Sequence, residues 1–176
     1  MAQSNSLLQS IPFDDDACEA GTPTSCRDTF DASSAAITGC PVCLDTAAQG
    51  DLADRVTTFV EQTNGSLYCA GSVPFGGDDT GFVPPDAGVA SCEGSVARAL
   101  KRYASCLVKC DRKQAVALAG GTSFDADACK FTKPTSCRNT FDAASAKVLL
   151  GGACPACLDA TAQSAAADAV TGFVAG

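Results

Sequence analysis

The sequence predicts an all-α fold, a disulfide-stapled helical bundle built from a duplicated helical hairpin unit. Three observations carry that prediction. Apolar residues recur at helical spacing along the chain, 12 of its 176 residues are cysteine, and residues 13–60 recur at 124–174. Strictly alternating β-branched runs, the mark of half-buried strands, do not occur.

The repeat sets the organisation. Phe13-Asp14-Asp15-Asp16-Ala17-Cys18 matches Phe124-Asp125-Ala126-Asp127-Ala128-Cys129. Pro23-Thr24-Ser25-Cys26-Arg27-Asp28-Thr29-Phe30-Asp31-Ala32 matches Pro134-Thr135-Ser136-Cys137-Arg138-Asn139-Thr140-Phe141-Asp142-Ala143. After a three-residue slip, Cys40-Pro41-Val42-Cys43-Leu44-Asp45 matches Cys154-Pro155-Ala156-Cys157-Leu158-Asp159. Equivalent positions in a duplicated unit take equivalent environments. Unit one spans 1–70, a Gly/Pro/Asp-rich loop 71–91, and unit two 92–176. The copies are out of phase with the ends of the chain, so the sequence reads as a segment of a longer repeat, with unit one incomplete on its N-terminal side.

Taken in order, the hairpin helix of copy one carries Cys26, Phe30, Ser33 and Ile37 on one face and ends at Gly39. The next helix is expected to start at the Cys-Pro-x-Cys step and run through Leu44, Leu52 and Val56 to Phe59. Gly71–Ala90 reads as a surface loop. Residues 93–115 form an amphipathic helix in which Val96, Leu100, Tyr103 and Leu107 make one apolar stripe. Arg98, Lys101, Arg102, Lys109, Arg112 and Lys113 fall on the opposite face, and Cys106 and Cys110 on the edge of the stripe. In copy two the hairpin helix starts near Pro134, where a proline sacrifices no helical hydrogen bond. It carries Cys137, Phe141, Ala144 and Val148 and ends at Gly151-Gly152. The last helix runs through Leu158, Ala162, Ala165 and Ala169 to Phe173. Abundant alanine favours helix and close packing but leaves little apolar bulk to bury, so disulfides matter.

The cysteine density points to disulfides in an oxidising, extracytoplasmic compartment. All twelve are candidates: Cys18, Cys26, Cys40, Cys43, Cys69, Cys92, Cys106, Cys110, Cys129, Cys137, Cys154 and Cys157, in six bridges. Each four-cysteine hairpin set can close on itself. Cys69–Cys92 is then the simplest bridge across the loop, while Cys106 and Cys110, oriented poorly for each other, reach into the hairpin of their own unit. The connectivity stays open among these. The alternative is a thiolate metal site for zinc or copper at Cys40, Cys43, Cys154 and Cys157; no other cofactor is called for. A redox role for Cys-Pro-x-Cys wants a βαβ context that is missing.

Absence of histidine removes Ser-His-Asp, Cys-His and mixed Cys/His metal chemistry. No motif places paired carboxylates in a cleft, and the chain reads as non-catalytic. Asp14-Asp15-Asp16, with Asp125 and Asp127, lacks a twelve-residue calcium loop and reads as solvated helix flanks. The net charge of −8 argues against nucleic-acid binding. It is split: residues 1–91 hold 13 acids and 2 bases, residues 92–176 hold 7 acids and 10 bases. No stretch approaches the ~20 apolar residues of a membrane span, and residues 1–20 lack the basic start and apolar core of a signal peptide.

At Lys109-Cys110-Asp111-Arg112-Lys113, followed by Phe124 to Cys129 and Cys137 to Cys154, the chain resembles cysteine- and alanine-rich helical modules repeated in predicted secreted proteins of bacteria. That resemblance implies export and tandem repetition. The expected role is a structural or protein-interaction module of an extracellular or cell-surface assembly. Its partner would be a second copy or a neighbouring repeat, met through the basic Arg98–Lys113 face; a small-ligand or metal carrier is the alternative.

Overall fold

The two copies start their helices with the same caps. The Oγ atoms of Ser25 and Ser136, both buried, accept from the backbone N–H of Asp28 at 3.1 Å and of Asn139 at 3.2 Å. A side-chain oxygen here satisfies an N–H that the first turn leaves without a partner. The computed structural model describes residues 17–21 and 23–176; the Asp14-Asp15-Asp16 cluster lies outside them. Among the described residues there are five α-helices: α1 (Cys26–Ala35), α2 (Thr46–Leu67), α3 (Ala87–Ala119), α4 (Cys137–Leu150) and α5 (Ala160–Ala175). A π-helical turn precedes each hairpin, at Ala17–Gly21 and Ala128–Thr132.

The second helix of each hairpin starts later than the Cys-Pro-x-Cys step suggests. Pro41 and Pro155 are extended, with ψ of 157° and 154°, and each leads into a 3₁₀ turn, Val42–Leu44 or Ala156–Leu158. The α-helix begins only after Asp45 or Asp159, whose carboxylate accepts from Ala48 N at 2.9 Å or Ala162 N at 2.8 Å. This shifts the inward face of α5. Gln163 and Ala167 are buried and Ala166, Val170 and Val174 pack on the core, in place of Ala162, Ala165 and Ala169.

The expected 71–91 loop holds more order than its composition suggests. Pro74–Gly76 and Asp79–Phe82 form an antiparallel hairpin, β1 and β2. Thr80 fixes it to α2: its hydroxyl donates to Glu61 O at 2.6 Å and accepts from Gly65 N at 2.9 Å. Gly71, at φ +146°, lets the chain pass so close to Val83 that a Cβ would lie 2.3 Å from the Val83 carbonyl oxygen. The end of the expected loop belongs to α3, because the Asp86 carboxylate caps it through Val89 N at 2.9 Å. With 33 residues, α3 is about 50 Å long.

The core lies under α3, in unit two. Cys92, Val96, Ala99, Leu100, Tyr103, Leu107 and Cys110 of α3 meet Cys137 and Phe141 of α4, Leu158, and Ala167 of α5. The stripe read from the sequence is therefore the buried one. Four bridges staple it: Cys69–Cys157, Cys92–Cys154, Cys106–Cys137 and Cys110–Cys129. Cys106 and Cys110 do reach into their own hairpin. The Cys69–Cys92 bridge does not form, because Cys92 lies on the inner face of α3 towards Cys154. Nor does the second hairpin close on itself: its four sulfurs all leave it, three to α3 and one to the end of α2. In place of six bridges there are four among the described residues, and Cys18, Cys26, Cys40 and Cys43 are exposed thiols.

Candidate interaction face

Unit two shows a finished hairpin face. α3 lies across α4 and α5, with Tyr103 tilted against Phe141 at 5.5 Å between ring centroids and its hydroxyl 2.8 Å from Thr171 Oγ1. Gln163, fully buried, donates from Nε2 to Leu158 O at 2.9 Å and accepts the Ser145 hydroxyl. Lys130 of the π turn is ion-paired with Asp111 of α3. Leu158 is 0% exposed and Cys137 1%.

Unit one builds the same hairpin from the equivalent residues. Arg27 joins Asp31 and Asp54 as Arg138 joins Asp142 and Asp168, tying the two hairpin helices together. Hydrogen bonds to Asp54 and Asp31 hold the Arg27 guanidinium above its ordinary pKa. For Arg138 partial burial works against the charge, but Asp168 and Asp142 outweigh it and the pKa is again raised. Gln49 Nε2 donates to Leu44 O at 2.7 Å, the counterpart of the Gln163 bond. Equivalent Phe59 and Phe173 stack on each other with centroids 4.4 Å apart.

The contrast lies on the face that α3 covers in unit two. Leu44 is 45% exposed where Leu158 is 0%, and Leu52, Val56 and Val60, the counterparts of Ala166, Val170 and Val174, are exposed as well. Ile37, equivalent to Val148, is 61% exposed. Cys18, Cys26, Cys40 and Cys43, the counterparts of the bridged Cys129, Cys137, Cys154 and Cys157, are exposed thiols. Among the described residues nothing equivalent to α3 lies on that face. Sequence reasoning named all of these but Val60 individually and missed that they form one exposed surface.

The other candidate residues fall as follows. Arg98, Lys101, Arg102, Lys109, Arg112 and Lys113 are all exposed along the outer side of α3, with Arg98 donating to Ser95 Oγ at 2.7 Å. The metal alternative is not assembled: Cys154 and Cys157 are bonded to Cys92 and Cys69, leaving Cys40 and Cys43 as the thiols of that set. Sulfurs do cluster elsewhere, at Cys106, Cys110 and Cys137, with Cys110 and Cys137 sulfurs 3.6 Å apart. All three belong to disulfides, whose sulfurs are not thiolate ligands. Asp125 caps the π turn through Ala128 N at 2.8 Å. A shallow cleft of about 290 Å³ on unit one is lined by Glu19, Arg27, Asp54, Thr57, Thr58 and Glu61. Two of its lining residues, Arg27 and Asp54, are paired with each other.

One buried acid was not foreseen. Glu93, 0% exposed, accepts from Ala70 N at 3.2 Å and so binds α3 to the chain just after α2. Burial raises its pKa from 4.5 to about 7, against the hydrogen bonds from the Ala70 and Cys69 backbone. The signal available was a lone acid beside Cys92 on the apolar side of a helix.

No helix of the described residues is long and apolar enough to cross a membrane. Compared with family models, with curated proteins and with solved structures, the chain matches none.

Proposed function

We propose that the protein is a non-catalytic structural module that binds a neighbouring repeat or copy in an extracellular or cell-surface assembly. One observation carries this reading: unit one folds the hairpin of unit two, but among the described residues nothing covers its α3-facing surface, with Leu44 at 45% exposure against Leu158 at 0%. Terminal faces of repeat arrays are stable when capped or covered by the next unit. Four disulfides in a chain of this size fit an oxidising compartment. The tandem repetition and export implied by the resemblance to secreted bacterial modules agree with both. The split charge supports head-to-tail contact, with the exposed Arg98–Lys113 face towards an acidic unit one, an attraction screened by salt. Contacts of that heterologous kind build rings or filaments.

Light scattering across protein and salt concentration tests the reading. Mass should rise with protein concentration at low salt and fall back as salt is added. A protein that stays monomeric at millimolar concentration and low salt, and whose unit-one face takes up no helix of another repeat, would refute it.

A further inference from the structure

In unit two every hairpin cysteine has a fixed partner outside the hairpin. Cys129 bonds to Cys110, Cys137 to Cys106, Cys154 to Cys92, and Cys157 to Cys69. Three of these partners lie on one helix at spacings of 14 and 4 residues, which at 100° per residue places them within about 40° of one face. The equivalent unit-one residues, Cys18, Cys26, Cys40 and Cys43, are exposed thiols beside an exposed apolar surface.

The side chains that receive α3 are preserved as well. Phe30 stands for Phe141, Leu44 for Leu158, Gln49 for Gln163, Ala53 for Ala167 and Thr57 for Thr171, the partner of the Tyr103 hydroxyl. A folded second copy cannot supply the missing helix, since its Cys92, Cys106 and Cys110 are already in disulfides.

Building on the interaction-module reading, we propose that the unit-one hairpin is a covalent docking site for an α3-like helix of another repeat unit. Cys18, Cys26 and Cys40 bond to that helix at the positions of Cys110, Cys106 and Cys92. Cys43 bonds to a closing cysteine at the position of Cys69. The geometry also sets a charge preference. Lys130 pairs with Asp111 in unit two, but the equivalent residue in unit one is Glu19. The incoming helix therefore carries a basic residue where α3 has Asp111.

Each bond forms by thiol–disulfide exchange with a disulfide oxidant, such as oxidised glutathione. A unit-one thiolate attacks the oxidant, forming a mixed disulfide and expelling one thiolate. The helix thiolate then displaces the second. Two protein thiols lose two electrons and two protons, and the oxidant disulfide becomes two thiols.

The test uses the full chain and a ¹⁵N-labelled synthetic peptide of residues 87–119 in a glutathione redox buffer, with a second peptide carrying Asp111→Lys. Intact mass, alkylation and proteolytic mapping read the outcome. The expected product is a one-to-one adduct in which alkylatable thiols of the protein fall from four to one, Cys43. Labelled Cys110, Cys106 and Cys92 should be joined to Cys18, Cys26 and Cys40, and the Asp111→Lys peptide should give the higher yield. Four thiols still alkylated, pairing in mixed register, bonds among the unit-one cysteines, or labelled peptide on Cys129, Cys137 or Cys154 would each overturn the proposal. A peptide with all three cysteines changed to serine separates the two levels by fluorescence anisotropy. If it binds while no registered bonds form, the covalent proposal fails and the interaction module stands. If neither binding nor bonds are seen and scattering shows a monomer, both fail.

Discussion

Replacing Glu93 by glutamine should flatten the pH dependence of stability between pH 4.5 and 7. The carboxyl is buried on the inner side of α3, one residue from Cys92, and its pKa is raised from 4.5 to about 7 by loss of hydration. In that interval the folded state binds the proton that the unfolded chain has released, so stability falls as pH rises. Below pH 4.5 both states are protonated and the Glu93 contribution is fully present; above pH 7 both are ionised and the loss is complete. At 1.36 kcal/mol per pKa unit, the shift corresponds to a loss of up to about 3 kcal/mol across the window. The substituted amide keeps an oxygen to accept from Ala70 N, as Glu93 Oε1 does at 3.2 Å, but does not ionise. Urea unfolding with disulfides intact, followed by circular dichroism at pH 4.5, 6 and 8, gives the comparison. Wild type should lose stability from pH 4.5 to 8, and Glu93→Gln should lose about 3 kcal/mol less. If the two pH profiles run parallel, Glu93 ionises in the folded state as it does in water and the burial argument is wrong.

Two further perturbations test the asymmetry of the units and the staple between them. Leu158→Ala should cost about 2–5 kcal/mol, as a fully buried leucine does, whereas Leu44→Ala, at 45% exposure, should cost under ~1 kcal/mol; equal losses in denaturant titrations would mean that unit one is covered. Replacing both Cys69 and Cys157 by serine should cost about 3 kcal/mol, because with Cys92–Cys154 intact that bridge closes a loop of roughly 25 further residues. Faster hydrogen exchange should appear in α2 and the β-hairpin before the rest of the chain, and unchanged protection there would refute the role of this bridge as the inter-unit staple.

The helical class, the repeat and the α3 stripe were legible because each rests on a local rule. Val96, Leu100, Tyr103 and Leu107 share a face by periodicity alone, and all four are buried. The start of α5 was not, because a proline and a capping aspartate compete for the same few residues. Asp159 won, and rotating the start of the helix changed which alanines face inward. The β-hairpin was hidden by its Gly/Pro/Asp composition, since its hold on the molecule comes from Thr80 bonding to backbone atoms of α2. Disulfide pairing lay furthest out of reach, yet a usable signal existed. Cys92, Cys106 and Cys110 fall on one helical face, so three of the four hairpin cysteines had a ready set of partners once Cys92 was read with the helix instead of the loop.

The pairing also changes where the boundary between units lies. By sequence, the repeat divides the chain at the loop, and a self-closed hairpin would make each unit an independent folding body. In the structure Cys69–Cys157 ties the end of α2 to the hairpin of unit two, and Glu93 holds the same junction through Ala70. Long-range links of this kind remove chain entropy from the unfolded state only when both units are counted together. The stable body is therefore α3 with the hairpin that follows it and the end of the helix that precedes it. Unit one supplies that last part to unit two, so the unit-two hairpin is completed by the helix before it and secured by the unit before that.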